Sequence, residues 1–391
     1  MRKWIWIAAG LVVAVGLAAA LRFFWTTPVY IDRSQNRVAP VPLNVMPAAQ
    51  ALHATLDVAD MHADSLLWKR DLLERSDRGH IDVPRLIAGH YALQVFSSVT
   101  KSPKGQNYNS NGADSDTIGS LAFVDLQPPR TWNSLLERSL WHAEKLRDFA
   151  ERSQGRLRVI RTPADIDRLL ADRKNGTEVV GGMLSIEGLH DLEGKLANLD
   201  VLYAAGFRMA GLAHFFDNDV AGSMHGVEKG GLTALGRQVV QRMETLGMIV
   251  DLAHSSYATV AEVLAMATRP VVSSHGGVQA TCKVNRNLTD EEIKGIARTG
   301  GVIGIGYWRG AVCSTIPRDI ARAIAHVRDL VGIDYVGLGS DFDGSTTTGF
   351  DASQVVAVTQ ALLDLGFAEA DVRKVMGDNV LRVLRAGIAP S

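Results

Sequence analysis

GLTALGRQVVQRMETLGMIVDLAHSS, residues 231–256, contains a complete structural unit. Leu232–Leu246 carries apolar residues at a spacing near 3.6, the mark of a helix with one buried face. Met248–Leu252 is a short apolar run of the kind that forms a buried strand. Gly247 separates the two, as a tight turn between a helix and a strand requires. The strand then closes on an imidazole, His254.

The same unit recurs on both sides. Further strands are expected at Val58–Met61, Tyr91–Ser97, Val179–Ile186, Met209–Ala213, Val271–Ser274, Val302–Gly306 and Tyr335–Gly339. Helical spacing marks Ile118–Arg152, Thr259–Ala267, Asp290–Ala297 and Asp319–Leu330. Eight strands with intervening helices predict an α/β fold, a (β/α)8 TIM-type barrel. Residues 98–117 are polar and rich in Asn, Ser and Gly, and read as a long loop near the site.

Arg2 and Lys3 precede an uncharged run, Trp4–Leu21, which Arg22 ends. That length is about the minimum for a membrane-spanning helix. The flanking positive charges favour a cytoplasmic N-terminus. Phe23, Phe24 and Trp25 read as an interfacial aromatic belt. Residues 1–25 are therefore expected to be a cytoplasmic stub and transmembrane anchor. A cleaved signal peptide, with Ala18 and Ala20 as the small residues, is the competing reading. Both put the domain outside the cytoplasm, in a periplasmic setting, and cleavage would make it secreted. Residues 26–50, with Pro28, Pro40, Pro42 and Pro47, read as an extended linker to a domain at 51–391.

The chain of 391 residues has 41 basic and 42 acidic side chains, a net charge of -1, and no basic stripe. Nucleic acid is not an expected partner. Cys282 and Cys313 form no CxxC, and the expectation is two unpaired, partly buried thiols. A disulfide is the alternative in an oxidising compartment.

Six of the eight strands end on potential ligands: His62 and Asp64, Glu187, His214, His254, His275, and Asp341. A barrel gathers its strand C-termini on one face, where active sites sit. Imidazoles with carboxylates suit Zn2+ or a similar metal. His62 and Asp64 are two apart and point the same way from one strand. Each residue alone has an ordinary structural reading, such as helix capping for an Asp. Burying so many charges together without a metal would cost several kcal/mol per ion. His53, His80, His90, His142 and His326 lack this placement and read as surface or structural, whereas His190 and His225 stay open.

The stretches DMHADSLLW (60–68), SIEGLH (185–190), 231–256, PVVSSHGG (270–277), NRNLTD (285–290) and GLGSDFDG (337–344) resemble the membrane (renal) dipeptidase family, which is related to the amidohydrolase barrels. The resemblance covers nearly all of 50–385. It implies two Zn2+ per chain, one held by His62 and Asp64, the other by His254 and His275, with Glu187 bridging. It further implies a metal-bridging hydroxide as nucleophile, Asp341 as proton acceptor and donor, and His214 facing the oxyanion. Arg286 would bind the free carboxylate of a dipeptide, including one with a C-terminal D-residue, and Trp308 would belong to the substrate pocket. The GYWRG (306–310) and HFFDNDVAGSMHG (214–226) stretches depart from the mammalian pattern and leave side-chain preference open. The C-terminus, GIAPS, also departs from it, with no apolar tail for a lipid anchor, so any anchoring is expected of the N-terminus. Family members are often homodimers, and no interface signature stands out here. Two alternatives remain: an amidohydrolase acting on N-acyl amino acids or lactones, and a non-catalytic metal-binding envelope protein.

Overall fold

The computed structural model describes residues 2–389. The 231–256 unit shows how each repeat forms. Thr233 caps the helix Ala234–Leu246 by accepting from the Gly236 amide, and Val239, Val240 and Met243 are buried on its inner face. Gly247 ends it in the left-handed conformation, φ 67°, where other residues are strained. The strand Ile249–Asp251 follows, fully buried.

Eight strands form one parallel sheet, seven in the order Ile249–Asp251, Phe207–Gly211, Val180–Glu187, Tyr91–Val99, Val58–Ala63, Val336–Leu338 and Ile303–Ile305, with the short Leu157–Val159 pairing Val180–Glu187 off that path. Single parallel bridges, Asp251 to Val272 and Ser273 to Ile303, join the two ends through residues 271–274. The sheet thus curls into a barrel-like form, with a contribution from each of the eight expected runs. Val58–Ala63, Tyr91–Val99 and Val180–Glu187 are buried along their whole length, as strands covered on both faces must be. The core divides between side chains inside the curl, such as Met61, Leu93, Met183 and Met209, and a larger layer beneath the helices.

Three expectations change. The stretch 118–152 is two helices, Thr117–Val124 and Leu135–Arg152, because Pro128 and Pro129 cannot continue one. The extended linker over 26–50 is also corrected. The N-terminal helix Arg2–Gln35 runs on through Pro28, Arg37–Val38 pairs in parallel with Thr347–Thr348, and Pro47–His53 is helical. Long-range partners override the prolines: buried Asp32 pairs with Arg70 at 3.1 Å and Arg78 at 2.9 Å. Finally, Cys282 and Cys313 are not free thiols but a disulfide. Both follow neighbouring strand ends, which brings their α carbons to 5.4 Å, within reach of a bond.

Candidate metal centre and active site

The strand ends deliver their polar side chains to one cavity of about 600 Å3. Asp64, Glu187, His214, His254, Arg286, Trp308 and Asp341 line it. His62 and His275 lie beneath, almost without solvent contact, their rings stacked at 3.7 Å. All nine expected site residues are therefore brought together.

Glu187 is at the centre. Its Oε1 is 2.9 Å from His254 Nε2, 3.1 Å from His275 Nε2 and 3.7 Å from His62 Nε2. Its Oε2 is 3.6 Å from His214 Nε2. His62 Nε2 is also 3.5 Å from Asp64 Oδ1 and 3.9 Å from Asp341 Oδ1. Three overlapping groups, His62–Glu187–His275, Glu187–His214–His254 and His62–Asp64–Asp341, each hold their ligand atoms within 4.8 Å of one another.

The polar atoms here are short of donors. His62 Nε2 and Asp64 Oδ1 are buried with no hydrogen-bond partner, an arrangement that is costly unless a cation fills it. The ring of His275 is oriented from behind. Ser274 Oγ gives its proton to Asp251 Oδ2 at 2.5 Å, so it can only accept from His275 Nδ1, 2.8 Å away. That fixes the proton on Nδ1 and leaves the Nε2 lone pair facing Glu187, as a ligating imidazole requires. The donor set, imidazole nitrogen and carboxylate oxygen, fits a divalent metal of the zinc type.

Burial pushes the carboxyls of Asp64, Glu187 and Asp341 well above the usual carboxylate range. Asp343 adds to this at Asp64, and Asp64 adds to it at Glu187. At Asp341 a smaller pull from His62 opposes it. Burial also drives His214, His254 and His275 well below the ordinary imidazole value, and the Arg286 charge contributes at the last two. A bound divalent ion would keep the carboxyls ionised, reversing the first trend, and would reinforce the second, because a ligating imidazole is neutral.

His254 and Asp341 both sit in the left-handed region, φ 64° and 58°, with Asp343 and Ser345 alongside at 63° and 57°. Such strain persists only where surroundings enforce it, and it clusters at functional sites. Here Asp343 is clamped by Arg70 at 2.6 Å, by Ser65 Oγ at 2.6 Å and by the His80 amide at 2.7 Å. Asn36 Oδ1 accepts from the Ser345 amide at 3.0 Å. Ser345, Thr346 and Thr347 form part of the cavity wall.

Arg286 is buried, donates to the His275 carbonyl at 2.8 Å, and lies over the Trp308 ring at 5.7 Å. Trp308 Nε1 donates to Tyr108 Oη at 2.9 Å. Tyr108 belongs to the polar loop 98–117, which was expected near the site; Ser102, Gln106 and Asn107 also reach the cavity. Sequence reasoning named the loop and missed Tyr108, the one aromatic in it. It also missed Asp251, Ser274 and the Asp343 clamp. The open case of His225 is resolved as a buried residue behind the cavity lining: its Nδ1 bonds the Tyr108 carbonyl at 3.0 Å, and its ring is 5.3 Å from that of His254.

Residues 46–388 match the family model for membrane dipeptidase, peptidase family M19. Among curated proteins, the chain is 28% identical over 324 residues to dipeptidase verJ of Clonostachys rogersoniana, covering 78% of this chain and 82% of that protein. It is 31% identical over 255 residues to an uncharacterised protein of Klebsiella pneumoniae, covering 61% and 92%. Among solved structures, it superposes with TM-score 0.67 on dipeptidase AC, a family M19 metallopeptidase, at 26% identity, covering 85% and 99%. A Rhodobacter sphaeroides metallopeptidase, solved with a phosphinate mimic of L-Ala-D-Ala, gives TM-score 0.70 at 24% identity, covering 85% and 99%. With the family model spanning most of its length, this chain belongs to the membrane dipeptidase family, peptidase family M19.

Proposed function

We propose that this hydrolase is a membrane-anchored dipeptidase with two zinc ions per chain on a (β/α)8 barrel. The observation that carries the reading is the convergence of His254 Nε2, His275 Nε2 and Glu187 Oε1 within 3.1 Å, beside the buried guanidinium of Arg286. His62 and Asp64 would hold one ion and His254 and His275 the other, with Glu187 shared between them. Bound there, such ions supply a water acidic enough to ionise near neutral pH and polarise a carbonyl.

The chain's own residues do the rest. Arg286 takes the substrate carboxylate through its planar fork, so the scissile bond is set at one distance from that carboxylate. Trp308 and Tyr108 close the wall beside it and exclude water. Asp341 faces the same space from a strained, clamped backbone, placed to take a proton and return it to the leaving amine. His214 has its Nδ1 3.4 Å from the Lys101 carbonyl, which directs Nε2 into the cavity toward a developing oxyanion. A C-terminal D-residue places its carboxylate and its side chain differently from an L-residue, so the Arg286–Trp308–Tyr108 wall decides which is accepted.

The helix Lys3–Gln35, whose apolar 18-residue stretch has mean hydropathy 2.3 and is wholly exposed, is read as the anchor, with the catalytic domain on the extracytoplasmic side. The test is hydrolysis of a dipeptide panel, including Ala-D-Ala, by the detergent-solubilised full chain, with metal counted on the same sample. Turnover lost on chelation and restored by zinc, at about two metals per chain, is the expected result. Two metals without turnover on any dipeptide would move the substrate to N-acyl amino acids or lactones. Correctly folded protein that binds no metal would sink the mechanism.

A further inference from the structure

The N-terminal helix changes its surroundings at one residue. From Lys3 to Phe23 every side chain is exposed, as in a helix that is apolar all round and has no protein partner. From Phe24 onward one face is covered: Phe24, Thr27, Pro28, Ile31 and Asp32 are partly or fully buried, at helical spacing. Ile31 packs against the Leu67–Trp68–Val99–Ile118–Leu121 cluster, and Asp32 is ion-paired beneath it. The docked face therefore begins three residues, about 4.5 Å of helix, beyond the end of the apolar run at Leu21. No flexible spacer separates the spanning segment from the domain.

What touches Phe24 must lie at the height of the bilayer surface. Its ring packs edge-on against Phe123 at 5.6 Å, and Phe123 in turn against Trp132 at 5.2 Å. Phe123 and Leu126 are nonetheless 45% and 56% exposed, and Phe23 and Trp25 beside them 47% and 78%. Leu126 holds its place with φ 56°, a conformation unfavourable for a leucine.

We infer that Phe123 and Leu126, together with Phe23 and Trp25, form a membrane-seating surface, by which the catalytic domain rests directly on the lipid interface. The occupant is the outer leaflet itself. Aromatic and aliphatic residues at this height belong in the interfacial layer, where amphipathic rings concentrate. The consequence reaches the active site. Ile118, on the same helix as Phe123, lines the catalytic cavity, five residues or roughly 7.5 Å of helix away. The cavity wall at Ile118 thus lies within about a nanometre of the seating surface. This inference rests on the reading of the N-terminal helix as an uncleaved anchor.

The test uses the full chain in phosphatidylcholine nanodiscs. The native cysteines are bonded to each other, so a single introduced thiol takes the label. L126C and F123C, and as controls V227C and I316C at exposed apolar positions elsewhere, are coupled to an environment-sensitive fluorophore. A lipid carrying a nitroxide high on its acyl chain is then added. Labels at 126 and 123 should be quenched several-fold more than those at 227 and 316. Equal quenching at all four, in protein that remains in the disc, would overturn the seating surface and leave the anchor standing. Loss of the protein from the disc, with a shortened N-terminus by mass, would remove both. A blue-shifted label at 126 that lipid nitroxide does not reach would mean that a second copy covers the patch, which also overturns the proposal.

Discussion

The Arg70 guanidinium is 2.6 Å from the Asp343 carboxylate, two residues beyond Asp341, and neither side chain has appreciable solvent contact. On its other edge Arg70 meets Asp32 of the N-terminal helix. One buried cation thus ties the N-terminal helix to the loop that presents Asp341. Its loss leaves Asp343 without its guanidinium partner and Asp32 with Arg78 alone. R70Q should lower stability by about 3–5 kcal/mol, the scale for breaking a buried pair, read as a fall in the thermal midpoint. A midpoint within a degree of the parent would show that the pair does not hold the loop.

Asp341→Asn keeps the side chain's size and removes its ability to accept a proton. Turnover should fall by ~10^2-fold or more, the scale expected of a lost acid–base group, with metal content unchanged. Equal loss of metal and turnover would make Asp341 a ligand instead.

Arg286→Ala removes the one buried guanidinium in the cavity wall. KM for dipeptides should rise by roughly 10- to 100-fold, the scale of a charge-assisted hydrogen bond. An unchanged KM would strip away the reason for a carboxylate-bearing substrate.

The Cys282–Cys313 bond links the turn before Arg286 to the segment after Trp308, across 31 residues. Reduction, or the double Cys→Ser variant, should cost about 2–4 kcal/mol for a loop of that size. It should also raise KM more than it lowers metal content, because the linked segments border Arg286 and Trp308 and not the metal ligands. The comparison of thermal midpoint, KM and bound metal with and without reductant checks all three.

Burial holds the Asp191 carboxyl up at about 7, against an ordinary value of 3.8. A raised carboxyl contributes stability that is fully present below its unfolded value and is lost as pH rises through the folded one. Its only polar side-chain partner, Ser139 Oγ at 2.7 Å, can donate equally to an amide oxygen. Asp191→Asn should therefore match the parent near pH 4 and become more stable across pH 4–7, by a few kcal/mol, with a constant gap above. A gap that does not widen between pH 5 and pH 8 would refute this.

The strands and the polar residues that end them were readable because buried parallel strands are short apolar runs, and the chemistry starts where the apolar run stops. Each ligand position is local information: His254 ends its own strand whatever the rest does. What could not be read depends on partners distant in sequence. Pro28 looked like linker material, yet Asp32 four residues later finds Arg70 and Arg78 and keeps the helix intact. The disulfide depends on two turns meeting in space, which spacing alone does not reveal. Tyr108 enters the site only because its loop folds back across the cavity to Trp308 and His225.

The short pairing of Arg37–Val38 with Thr347–Thr348 has a consequence for where this protein can be cut. The family match starts at residue 46, but Asp32, Asn36 and that strand already hold the cavity rim. A cut between Arg22 and Phe24 would separate the apolar run from the domain and leave Asp32, Asn36 and that strand in place. A cut after Val38 would no longer leave Asp32 tethered beside Arg70, which would keep Asp343 alone, and would leave the rim strand with an unpaired edge. The position of the cut decides whether the cavity rim keeps its support.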